Sequence, residues 1–201
     1  MTKLLIILFG FITITGISGC GSTFIPDPLD PRLIRYTDDG NNAAGALVNN
    51  EIWSASAEIF SPLIRDVTTN QAGDSLVISF HGQIEERERI SFNFILKDLG
   101  IIDLGDLLKL QDEKLFFGAT DNIASYENRL EDTLYNANEG QIYFRSVKLV
   151  PVLDGVDEID YMIISGTFSF NVPDQGISVT YGRFDFKIYN FTSSFFSTNT
   201  P

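Results

Sequence analysis

From Gly45 onward, apolar and polar positions alternate along the chain with a period of two, and clusters of turn residues cut the alternation into segments. RISFNFIL at 89–96 is the clearest case, placing Ile90, Phe92, Phe94 and Leu96 on one face, as a half-buried strand requires. GALV at 45–48 and IWSASAEIF at 52–60 flank Asn49-Asn50-Glu51. Asparagines tolerate the positive φ of a tight turn, so this pair predicts a hairpin. LVISF at 76–80 follows the turn residues Ala72-Gly73-Asp74. QIYFRSVKLVPVL at 141–153, YMIISGTFSFNV at 161–172 and ISVTYGRFDFKIYNF at 177–191 are long and rich in β-branched and aromatic residues, the composition that suits a pleated, half-buried surface.

Between these segments, DLGIIDLGDLLKLQ at 98–111 carries leucines spaced for a short helix but is interrupted by Gly100 and Gly105. ASYENRL at 124–130 and TLYNA at 133–137 are weaker strand candidates. No long amphipathic helix is available to cover a parallel sheet. The expected fold is therefore all-β, an antiparallel meander closed into a barrel-like domain or folded into a sandwich.

The first residues follow a different pattern. Lys3 gives a positive start, Leu4 to Ile17 an apolar stretch, and Ser18-Gly19 small residues before Cys20, the one cysteine in the chain. That layout is an export signal, and its apolar run is short of the roughly 20 residues of a membrane span. Ile17-Ser18-Gly19-Cys20 resembles the lipobox of bacterial lipoproteins. The resemblance implies a thiol alkylated by diacylglycerol, cleavage before Cys20 and acylation of the new amino terminus; several acyl chains on one residue anchor stably. The expected organisation is a signal peptide over 1–19, a lipidated terminus and tether over 20–44, and a single all-β domain over 45–201. Pro26, Pro28 and Pro31 mark the tether, and DDGNNAAG at 38–45 has no periodicity. An extended proline-rich segment gains roughly 3.1 Å per residue, a reach of several tens of ångströms. Ile25, Leu29, Leu33, Ile34 and Tyr36 offer apolar side chains that would dock part of it onto the domain.

Charge narrows the partners. The chain carries a formal charge of −13, and loss of Lys3 with the signal makes the mature chain one unit more negative. Such a surface repels nucleic acid phosphates, which excludes nucleic acid as a partner. With Cys20 consumed as a thioether no disulfide forms, and the fold rests on an apolar core to which 17 phenylalanines contribute.

ALVNNEIWSA at 46–55 and SGTFSFNVPDQGISVTYGRFDFKI at 165–188 resemble the two signature regions of a family of uncharacterised lipoproteins of the Bacteroidetes cell envelope. In that family a "VNG…W.A"-like hairpin opens the domain and "GTF.F…GRFD" closes it. The resemblance implies an envelope location and an all-β fold, and it brings no catalytic residue. Asp74-Ser75-Leu76 and Asp132-Thr133-Leu134 likewise resemble the O-glycosylation acceptor triplet of these bacteria, which makes Ser75 and Thr133 candidate sites.

Candidate chemistry is sparse. His81 is the sole histidine, and Gly82 beside it suggests a strand end and a surface position. A serine triad would need His81 as its base, and one histidine without a thiol makes a zinc site improbable. Glu85, Glu86 and Glu88 are the densest carboxylates for glycoside hydrolysis, although EERER at 85–89 also reads as a solvated loop. DGVDEID at 154–160 offers oxygen ligands without the spacing of a calcium loop. On the last strand, Phe184, Phe186 and Ile188 form one face and Arg183, Asp185 and Lys187 the other, expected to be a wet face of cross-strand charge pairs. Trp53 is expected as a core anchor. No catalytic residue, metal or cofactor is assigned. The expected function is a non-enzymatic lipoprotein anchored in the outer membrane on its periplasmic face, since no dense acidic run after Cys20 signals surface export. It would bind a small apolar or glycan ligand or act as an adaptor for an envelope protein; the alternative is a carboxylate-dependent hydrolase acting on carbohydrate.

Overall fold

The computed structural model describes residues 27–28, 30–56, 65–69, 74–84, 88–151 and 161–189. They form one curled antiparallel sheet, a half-barrel with almost no helix. In chain order the strands are β1 (Ala43–Val48), β2 (Glu51–Ser56), β3 (Arg65–Thr69), β4 (Ser75–Ile84), β5 (Glu88–Lys97), β6 (Glu113–Phe117), β7 (Ile123–Asn128), β8 (Thr133–Asn136), β9 (Glu139–Val150), β10 (Tyr161–Val172) and β11 (Ile177–Tyr189). Across the sheet they run β6-β9-β10-β11-β1-β2-β4-β5-β7-β8, with β3 pairing β4 off this path. The last strand thus closes beside the first, and every pairing is antiparallel.

Local sequence explains most elements. Asn49 and Asn50 take φ of 49° and 72°, so the β1–β2 connection is the two-residue turn with both central residues left-handed, whose twist suits a hairpin. The 98–111 segment yields a 3-10 helix at Gly105–Leu110, which buries Leu107 and Leu110. In β5 the alternation is realised as read: Ile90, Phe92, Phe94 and Leu96 are all buried. β10 changes register against β9 between Ser165 and Gly166, the glycine having no Cβ to strike the Tyr143 carbonyl oxygen, which an added Cβ would meet at 1.9 Å.

The concave face is filled by aromatic rings. Phe80 touches Phe94, Phe168, Phe184 and Phe186, with centroids 5.0–5.8 Å apart. Phe92 meets Phe170 edge to face at 5.5 Å and Trp53 at 4.3 Å. Trp53 is fully buried, and its indole N–H donates to the Ile90 carbonyl at 3.0 Å, so its one polar atom is satisfied in the core. At the rim of this cluster Tyr126 stacks on Tyr135. Burial first, then the charges of Glu88 and Glu131, pushes its phenol from 10.0 up to about 12. The folded state therefore holds the proton more tightly than the unfolded chain. That contribution to stability is intact below pH 10 and is lost as the pH rises from 10 towards about 12. Denaturant midpoints measured across this window should fall, and Tyr126→Phe should flatten the decline.

Candidate functional site: an arm docked on the outer face of β11

Residues 27–28 and 30–42, which precede β1, do not stand off from the domain. Because Phe184, Phe186 and Ile188 point into the core, Arg183, Asp185 and Lys187 lie on the outer face of β11, where residues 27–28 and 30–42 cross them. We call this segment the arm. Leu33 is buried, Ile34 packs against Gly45 of β1, and Leu47 and Ile163 are buried outside the central ring cluster. Of the apolar tether residues expected to dock, Leu33, Ile34 and Tyr36 do so; Ile25 and Leu29 lie outside the described residues.

Asp185 is the centre of the dock. Only 3% exposed, it accepts hydrogen bonds from the Thr37 hydroxyl at 2.6 Å, the Gly40 N–H at 2.7 Å, the Asn41 N–H at 3.1 Å, and the Asp39 N–H and Asn41 side-chain amide at 3.2 Å each. A carboxylate taken out of water needs its lone pairs filled, and the loop at 37–41 supplies the donors. Gly40 makes that loop possible: its φ is +73°, and a Cβ there would lie 2.5 Å from the Lys187 side chain.

The rest of the arm is held by graded contacts. At its far end Asp27 pairs with Arg183, which also donates to the Ile34 carbonyl at 3.0 Å; both side chains are largely buried. Tyr36 shares a 3.2 Å hydrogen bond with Ser165 under the guanidinium of Arg145, which lies 5.0 Å above its ring. Desolvation holds the Tyr36 phenol above its ordinary range. Nearer the surface Lys148 pairs with Asp38, and this hydrogen bond holds the Asp38 carboxyl below the usual range. Exposed pairs of that kind contribute little to stability.

This arrangement corrects the reading of the β11 polar face as a wet surface of cross-strand pairs. Asp185 and Arg183 hold the arm, and the face is covered. It was missed because the partners of Asp185 come from 144–148 residues earlier in the chain, where DDGNN gives no periodic signal. The one available hint was an aspartate alternating with phenylalanines in the middle of a long strand.

His81 also differs from expectation. It sits inside β4, not at a strand end, because Gly82 next to it lies against the Trp53 ring, where a Cβ would come within 2.6 Å. Its Nδ1 is 2.8 Å from the Ser91 hydroxyl, within reach of a nucleophile–base pair. Ser91, however, is fully buried between β4 and β7, so no substrate carbonyl reaches its oxygen. Glu127 lies opposite Ser91 in the β5–β7 register, and its carboxylate accepts a hydrogen bond from the Asn93 side-chain amide at 3.1 Å.

The remaining candidates are separate from one another. Ser75 opens β4 opposite Lys97, and Thr133 opens β8 opposite Asn128. The Thr133 hydroxyl is buried and has no hydrogen-bond partner among the described residues. Glu88 is exposed at the start of β5, while Glu85, Glu86, residues 154–160, Cys20 and the signal at 1–19 lie outside the described residues. Among the described residues no three His, Cys, Asp or Glu side chains cluster as metal ligands, and no helix is long and apolar enough to cross a membrane. No protein-family model, curated protein or solved structure matches the chain.

Proposed function

We propose that this chain is a non-enzymatic lipoprotein, anchored through acylated Cys20 in the cell outer membrane on its periplasmic face and serving as an envelope assembly adaptor. The observation that carries the reading is the Asp185 latch. Residues 37–41 are gripped by a buried carboxylate in the middle of the sheet and Asp27 is paired with Arg183, so only residues 21–26 separate Cys20 from the docked arm. An adaptor needs such a link, because a partner placed by a floppy spacer has no fixed position relative to the membrane. The aromatic filling of the concave face favours this role over storage of a small ligand there.

The test is direct. Growth with an alkynyl fatty acid should label the wild-type chain, and Cys20→Ala should abolish the label and release the protein from the membrane fraction. Persistent labelling of that variant would remove the anchor. Protease added to intact cells should leave the wild-type chain whole; digestion would place it on the outer surface.

A further inference from the structure

The arm also dictates which side of the domain meets the bilayer. We infer that the part of the β11–β1 outer face left open beside the docked arm, around Tyr181, rests on the lipid headgroups of the membrane that holds Cys20, with the β7–β8 wall turned away. This rests on acylation of Cys20 as proposed above.

Two observations lead to it. The first is reach. Residues 21–26 are all that separate Cys20 from Asp27, which Arg183 pins to β11. Fully extended, that stretch spans about 25 Å, against roughly 40 Å for the width of a domain of this size. The lipid can therefore lie beside the β11 face, whereas the far wall stands a domain's width away. In the sheet order β7 and β8 end the sheet and are separated from β11 and β1 by β2, β4 and β5, which puts them at the far end of the curl from the arm.

The second observation is Tyr181. It lies two residues before Arg183, at the point where β11 slips register against both β10 and β1. Its φ is 52°, a left-handed conformation that bulky residues avoid, and its side chain is 68% exposed. The slip in register accounts for the left-handed backbone, but not for an aromatic ring left in solvent at that position. Ile52, paired with Leu47 on the neighbouring hairpin, is exposed on the same face. A phenol with an apolar body and a polar tip suits the headgroup layer. The mature chain's charge, one unit more negative than the −13 of the full sequence, opposes attraction to anionic lipid, so the contact depends on the anchor and on these side chains, not on charge.

The experiment uses the acylated full-length protein in vesicles of phosphatidylethanolamine and phosphatidylglycerol doped with headgroup spin-labelled lipid. With Cys20 consumed as thioether, Tyr181→Cys, Ile52→Cys and Leu134→Cys each offer one thiol for a bimane fluorophore. Quenching should be several-fold stronger at 181 and 52 than at 134, whose side chain is 60% exposed on the far wall. Asp185→Asn, by freeing the arm, should shrink that difference. Acylated protein quenched equally at all three positions would overturn the orientation while leaving the anchor intact. Absence of the acyl label would remove the anchor and this inference with it.

Discussion

Asp185→Asn should destabilise the fold by roughly 2–4 kcal/mol and release the arm. The substitution keeps the shape of the side chain but turns one acceptor into a donor, facing N–H groups of Asp39, Gly40 and Asn41 that themselves donate. Hydrogen bonds to a charged acceptor contribute about 1.5–3 kcal/mol each. The five do not add, because an undocked arm recovers its bonds from water. What remains lost is the burial of Leu33, Leu47 and Ile163 and the pairing of Arg183 with Asp27. Chemical denaturation of the acylated protein in detergent should report the drop in midpoint. Limited proteolysis should show a new cut between Asp27 and Asn42 that the wild type resists. An unchanged midpoint with an intact arm would mean that Asp185 is incidental to docking.

The latch also shows which parts of the molecule are legible from sequence. Alternation in β5, the asparagine pair between β1 and β2, and Trp53 as a core anchor depend on neighbours within a strand or a hairpin, and each is realised. Two strands escaped the reading for local reasons. β3 reads RDVTT, in which Val67, its one aliphatic residue, is buried, and β6 reads EKLFF, whose three adjacent apolar residues hide the alternation that sends Leu115 and Phe117 inward and Phe116 outward. The covered face of β11 was illegible for another reason. Arg183 and Asp185 have the pattern of a solvated strand face, and what shields them is an irregular segment with no period of its own. Polar alternation reports that a face is not core; it is silent on whether a remote loop lies over that face. The His81–Ser91 pair follows the same logic, since register between β4 and β5 brings them together and sequence spacing does not.

Phe80→Ala should have the largest effect of any core substitution, and it also separates the two non-enzymatic roles. The ring is fully buried and contacts four others at 5.0–5.8 Å, drawn from β5, β10 and β11, so it joins strands that lie apart in the sheet order. Removing a ring from such a site costs about 3–5 kcal/mol, the upper end applying where neighbours collapse little. Rings fixed from several strands have little freedom to fill the gap. The void should stay apolar and dry, and it should admit a small aromatic probe such as benzene or indole, as engineered apolar cavities do. Calorimetric unfolding with and without probe should therefore show stabilisation of Phe80→Ala and none of the wild type, since a ligand that binds the native state alone must raise its midpoint. That outcome means the half-barrel interior is structural mass and leaves the outer surface for partners. The reverse, a wild-type midpoint that rises with probe and a Phe80→Ala cost below about 1.5 kcal/mol, would mean that the rings part readily around a guest. The small-ligand role would then replace the adaptor.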